Sequence, residues 1–119
     1  MADRIAWTSH NNKPVLRIDY SGLRGPELLP VIRRVPTFYK DTPHDSVLCL
    51  VDVRKAFADN EVMDALKAVV KATKVYHKKV AVVGVEGVKG VLLLAVNLFA
   101  GLNMKPFPDE QQALDWLVS

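Results

Sequence analysis

The chain is poor in the features that most often announce a function. It has 119 residues and a single cysteine, Cys49, so it cannot form an internal disulfide and suits a reducing compartment. The net charge is only +3, far from the clustered basicity of a dedicated nucleic-acid binder. Aromatic residues make up 8%, too few for a stacking platform for single-stranded nucleic acid. No basic patch followed by an apolar run opens the chain, so no signal peptide is expected. The longest apolar stretch, Val91–Leu102, is too short to cross a bilayer as a helix. Its three histidines, His10, His44 and His77, lie far apart, and none has a partner at metal-ligand spacing. No Ser-His-Asp or Cys-His set is visible. The expectation is a soluble, cytoplasmic, non-catalytic protein without a cofactor.

What is present is a globular composition, half hydrophobic and a quarter charged, of a length that fits one domain spanning residues 1–119. Arg4–His10 and Pro14–Tyr20 read as two strands, and Asn11 and Asn12 between them tolerate the positive φ of a tight hairpin. Pro26 suits the start of a helix over Pro26–Tyr39. Pro30 and Pro36 lack a backbone donor and clash with the preceding turn, so this helix should be kinked or broken.

Ser46–Val53 is near-continuously apolar, the pattern of a central strand buried on both faces. Cys49 lies inside it and reads as an inert buried thiol. A second helix is expected over Glu61–His77, with Val62, Leu66, Val69, Thr73 and Tyr76 on its core face and Asp59 or Asn60 as its cap. Lys67, Lys71, Lys74 and Lys78 then share the opposite face. They suit a solvated surface, or a surface for acidic headgroups or an acidic protein.

The segment VAVVGVEGVKGVLLLAVNLFAG, Val80–Gly101, carries the most information. A buried strand, Val80–Val83, leads into a turn with glycines at 84, 87 and 90. A helix follows that is apolar almost all round, broken only by Asn97. Such a helix must be covered on more than one side. A short strand at Met104–Phe107 and a last helix from Asp109 complete the order β-β-α-β-α-β-α-(β)-α. In that last helix, Asp109 and Gln112 have capping-box spacing, and Ala113, Leu114, Trp116 and Leu117 face the core. Helices between strands imply a small mixed, mostly parallel sheet in an α/β domain with a hairpin at one edge.

Four stretches, KPVLRIDYSGL, SVLCLVDVRKAF, VAVVGVEGVKGVLLLAVNLFAGLNMKPF and DEQQALDWLV, resemble the SpoIIAA-like branch of the STAS superfamily over Arg4–Val118. That branch is related in fold to anti-sigma factor antagonists and, more distantly, to CRAL-TRIO lipid-binding domains. The resemblance implies the fold and a binding or regulatory role. Anti-sigma factor antagonists carry a phosphorylatable serine just before the helix that follows the central strand. Here that stretch, Asp52–Glu61, has no serine, threonine or tyrosine, so the phospho-switch does not carry over. Asp59 offers a fixed negative charge there, with helix capping as its plain role.

The candidate binding surface is the glycine turn and the apolar helix: Gly87, Lys89, Gly90, Leu93, Val96, Asn97 and Phe99. The partner it suggests is an apolar or amphiphilic small molecule or another protein, because exposed apolar surface marks an interface. Two other readings stand beside it. One is a homo-oligomer, such as a homodimer, joined through the same helix. The other is a phosphate-using enzyme at the glycine turn, although that turn matches neither GxGxxG nor a Walker A loop and Glu86 would repel an anion.

Overall fold

The computed structural model describes residues 3–84 and 104–119. Two strands, β1 (Ile5–His10) and β2 (Lys13–Asp19), form a hairpin closed by Asn11 and Asn12 at φ of 50° and 65°. Both asparagines take the left-handed conformation that a two-residue hairpin turn demands. β2 is followed by β3 (Val47–Asp52), β4 (His77–Val83) and β5 (Met104–Phe107). The five lie side by side in chain order, with β1 antiparallel to β2 and the other pairs parallel. The sheet is therefore mixed and mostly parallel, as the alternation of strands and helices predicts.

The expected first helix is broken by its prolines. A 3-10 turn (Gly25–Leu28) runs into α1 (Leu29–Arg34), and α1 runs into a second 3-10 turn (Val35–Tyr39). Pro30 and Pro36 each fall in the first turn of a new segment, where a missing donor costs nothing. α2 (Asn60–Thr73) begins at Asp59, whose carboxylate accepts from the Val62 amide at 2.9 Å. It ends earlier than the apolar spacing suggests. A 3-10 turn, Lys74–Tyr76, closes it, and His77 and Lys78 already belong to β4. Lys67, Lys71 and Lys74 are exposed on the helical stretch, but Lys78 is not part of that row.

The final helix, here α3 (Glu110–Leu117), starts at Asp109, which accepts from the Gln112 amide. Gln112 returns a side-chain hydrogen bond to the Asp109 carboxylate at 2.9 Å. α1, α2 and the 3-10 turns pack on one sheet face against Ile5, Leu16, Ile18, Val47, Cys49, Val80 and Val82. α3 covers part of the other face, setting Ala113 and Leu117 on Val15, Leu48, Leu50, Ala81 and Val83. β3 has core on both sides, hence its unbroken apolar sequence.

Candidate functional site

The strand register carries polar residues to the carboxyl edge of the sheet. Asp19 of β2 is paired with Asp52 of β3, and Asp52 with Val83 of β4. Asp52 is 2% exposed, and both Arg54 and Arg17 lie against its carboxylate. Arg54 reaches back with Nη2 at 2.7 Å and Nε at 3.0 Å, while its own amide donates to the same carboxylate. Arg17 lies 3.5 Å from Asp52 and 3.6 Å from Asp19, and its Nε donates to Glu110 at the start of α3 at 2.6 Å. Arg4 completes the cluster beside Asp19, donating also to the Ser21 carbonyl.

Three guanidinium groups thus face three carboxylates. Burial works against the Arg17 charge, but the hydrogen bond to Glu110 and the charges of Glu110, Asp19 and Asp52 raise its pKa above the ordinary value. Burial also opposes ionisation of Asp19, yet hydrogen bonds from Ser21 and the charges of Arg17 and Arg4 hold it below the usual carboxylate range. Arg54 is raised as well, first by its hydrogen bond to Asp52. Each carboxylate of this set lies against a guanidinium group. The network fixes α3 and the β3–α2 loop to the strand ends.

Backbone hydrogen bonds tie that loop down as well. Beyond β2 and β3 the chain stays paired: Tyr20 donates to Asp52, Gly22 to Arg54, Phe57 to Leu23 and Gly25 to Phe57. An isolated bridge joins Arg24 and Phe57. On this frame the Phe57 ring stands 66% exposed. Gly84, the exit of β4, presses against the same loop. A Cβ there would lie 2.4 Å from Arg54 Cγ and 2.8 Å from its backbone, and φ is +91°. Only glycine permits that approach.

A second polar set lies at the opposite edge, under the α1–α2 layer. The Tyr39 hydroxyl is 2.6 Å from His77 Nε2 and 3.8 Å from Cys49 Sγ, and the Tyr39 and His77 rings meet edge to face. His77 Nδ1 is buried and has no hydrogen-bond partner among the described residues. Desolvation lowers the His77 pKa to about 4 and pushes the Cys49 thiol up to about 12. Cys49 is therefore an inert core thiol, as its place in an apolar strand suggests. His77, expected as the last residue of the second helix, instead begins β4 and is half-buried.

The surface chosen from sequence, Gly87, Lys89, Gly90, Leu93, Val96, Asn97 and Phe99, lies outside the described residues. Asp19 and Asp52 both fall at strand ends in the sequence, and the β2–β3 register brings them together. The sequence shows only that each strand ends on an aspartate, in DYSG and DVRK, and not the register that pairs them. Among the described residues no group of three histidine, cysteine, aspartate or glutamate side chains could hold a metal ion, and no helix is long and apolar enough to cross a membrane.

Comparison with protein-family models gives no match, and neither does comparison with curated proteins. Among solved structures the chain is similar to an uncharacterised protein of the DUF3478 family with a SpoIIAA-like fold from Shewanella loihica PV-4. The TM-score is 0.77 at 15% identity, covering 95% of this chain and 91% of that one. At that identity the likeness concerns the backbone rather than the chemistry, and the fold of this chain is SpoIIAA-like, as the sequence resemblance implies.

Proposed function

We propose that this chain is a non-catalytic binding domain that works through the carboxyl edge of its sheet. It engages an amphiphilic small molecule or a partner protein there, in a reducing, cytoplasmic setting, and not nucleic acid. The observation that carries the reading is Phe57, an exposed aromatic ring on a loop whose backbone and charges are locked from both sides. A rigid frame presenting an apolar group loses little entropy on binding. The carboxyl ends of parallel strands are also where open α/β sheets place their ligands. Pairing of the carboxylates with guanidinium groups favours binding over acid–base chemistry.

Native mass spectrometry of protein purified from cytosol tests this. A retained small molecule, or a partner that co-purifies, is expected. Its occupancy should fall in Phe57→Ser and in Leu93→Glu. Capture that is unchanged in both variants, or no capture at all, overturns the reading.

A further inference from the structure

The charges of α2 are sorted along its length. Glu61 and Asp64 lie in its first half and Lys67 and Lys71 in its second, with Lys74 in the 3-10 turn that closes it. At 3.6 residues per turn the three lysines form one exposed stripe, roughly 10 Å long, turned away from the core residues Val62, Leu66 and Val69. Complementing the helix dipole accounts for Lys71 and Lys74. That effect falls off within the last turn, and Lys67 lies beyond it. β4 adds a fourth lysine. Val80 and Val82 face the α1–α2 layer and Lys79 reaches Trp116 on the opposite face, so strand alternation returns Lys78 to the α2 side, where it is exposed.

These four charges are not used within the fold. The ion pairs among the described residues are made by arginines and by His10, and by none of the four lysines. The carboxylates nearest in the chain are Asp64, three residues before Lys67, and Asp45, whose backbone amide donates to the Val75 carbonyl at 2.9 Å. Val75 follows Lys74 and is 52% exposed. Its turn is pinned on both sides, by that bond and by the Ser46 amide on the Tyr76 carbonyl, while Tyr76 packs on the core. An aliphatic tip is thus held outward among lysines.

We propose that this face docks on an anionic lipid surface, with Val75 entering the headgroup layer and Lys67, Lys71, Lys74 and Lys78 spread over the negative groups around it. The residue types select this partner. Lysine is a hydrated point charge that suits diffuse negative charge, whereas nucleic-acid phosphates are gripped best by the planar arginine fork. Protein interfaces are anchored by arginine and aromatic side chains and are poor in lysine. The stripe carries lysine alone, beside one small apolar tip. Each lysine near such a surface is worth about a fivefold gain in partitioning, so the docking is reversible and sensitive to salt. The patch lies at the end of α2 remote from Phe57 and is independent of the ligand edge proposed above.

Co-sedimentation with phosphatidylcholine vesicles, with and without about one-third phosphatidylserine, tests it. The protein is expected on the anionic vesicles at low salt, and free in high salt or with neutral vesicles. Lys71→Gln and Lys74→Gln should each lower partitioning about fivefold, and Val75→Ser should lower it as well. Lys105→Gln removes the same charge from the opposite sheet face, beside Trp116, and should change nothing. All four positions are exposed, and circular dichroism checks that each variant is folded. Should one fail to fold, the others still decide. Absence of binding to anionic vesicles at low salt overturns the proposal. So does an equal loss in Lys105→Gln, which makes net charge the cause rather than this face. Retention on polyglutamate that Lys71→Gln weakens, together with vesicle binding that Val75→Ser leaves unchanged, assigns the face to an acidic protein and also overturns it.

Discussion

At the scale of the residue, the most exposed consequence is the cost of burying His77. Its neighbours are Tyr39 and, through Tyr39, the thiol of Cys49, and none of them carries a charge to stabilise an imidazolium. The folded pKa of about 4 lies below the ordinary 6.5. A base whose pKa is depressed by folding is protonated first in the unfolded state. Stability from this group is therefore full above pH 6.5 and declines as pH falls towards 4. The difference amounts to about 3 kcal/mol over that window. Urea unfolding at pH 7 and pH 4.5 should show the loss, and His77→Phe should remove most of it while carboxylate effects remain. An identical pH slope in the variant would mean that His77 is better solvated than its surroundings indicate.

At the scale of the element, what was legible in the sequence depended on how local the cause was. The broken first helix, the hairpin at Asn11 and Asn12, the Asp59 and Asp109 caps and the buried β3 all follow from residues within a turn of each other. The end of α2 did not. Apolar spacing runs on through Tyr76, because Tyr76 still packs on the core from a 3-10 turn, so periodicity alone overruns the helix. The Arg17–Asp52–Glu110 cluster was not legible either, since it depends on register between strands and on where α3 begins. Gly84 belongs to the same class: its sequence context says turn, while its geometry says close approach. Replacing it with alanine forces a Cβ into Arg54 and strains φ of +91°. Gly84→Ala should cost about 2–4 kcal/mol by denaturant unfolding. Gly22→Ala, also at positive φ but with nothing within 4 Å, should cost less. Equal costs at the two positions would show that backbone strain, not the contact with Arg54, dominates at Gly84.

At the scale of the whole molecule, the two sheet faces are held by different forces. The α1–α2 face is a broad apolar core that includes Leu28, Ile32, Val35 and Val62. The opposite face receives α3, an eight-residue helix that buries only Ala113 and Leu117 fully. Leu114, Trp116 and Val118 add half-buried apolar contacts, and the other ties among the described residues are polar and near the surface. Arg17 holds its first turn through Glu110. Lys79 donates to the Trp116 carbonyl at 2.9 Å and lies 5.1 Å from the centre of the Trp116 ring, and Lys13 donates to the Val118 carbonyl. Cations near the last carbonyls complement the helix dipole, but such contacts weaken in salt. Local opening draws on the least buried contacts, so α3 should open before the strands beneath it. Native-state hydrogen exchange should therefore show the amides of β3 exchanging only with global unfolding and those of α3 through a smaller opening. Raising the salt concentration, or replacing Lys79 with methionine, should speed exchange in α3 by several-fold and leave β3 untouched. If α3 and β3 exchange with the same free energy and respond alike to Lys79→Met, the apolar contact of Ala113 and Leu117 is enough to make the helix part of a single cooperative unit.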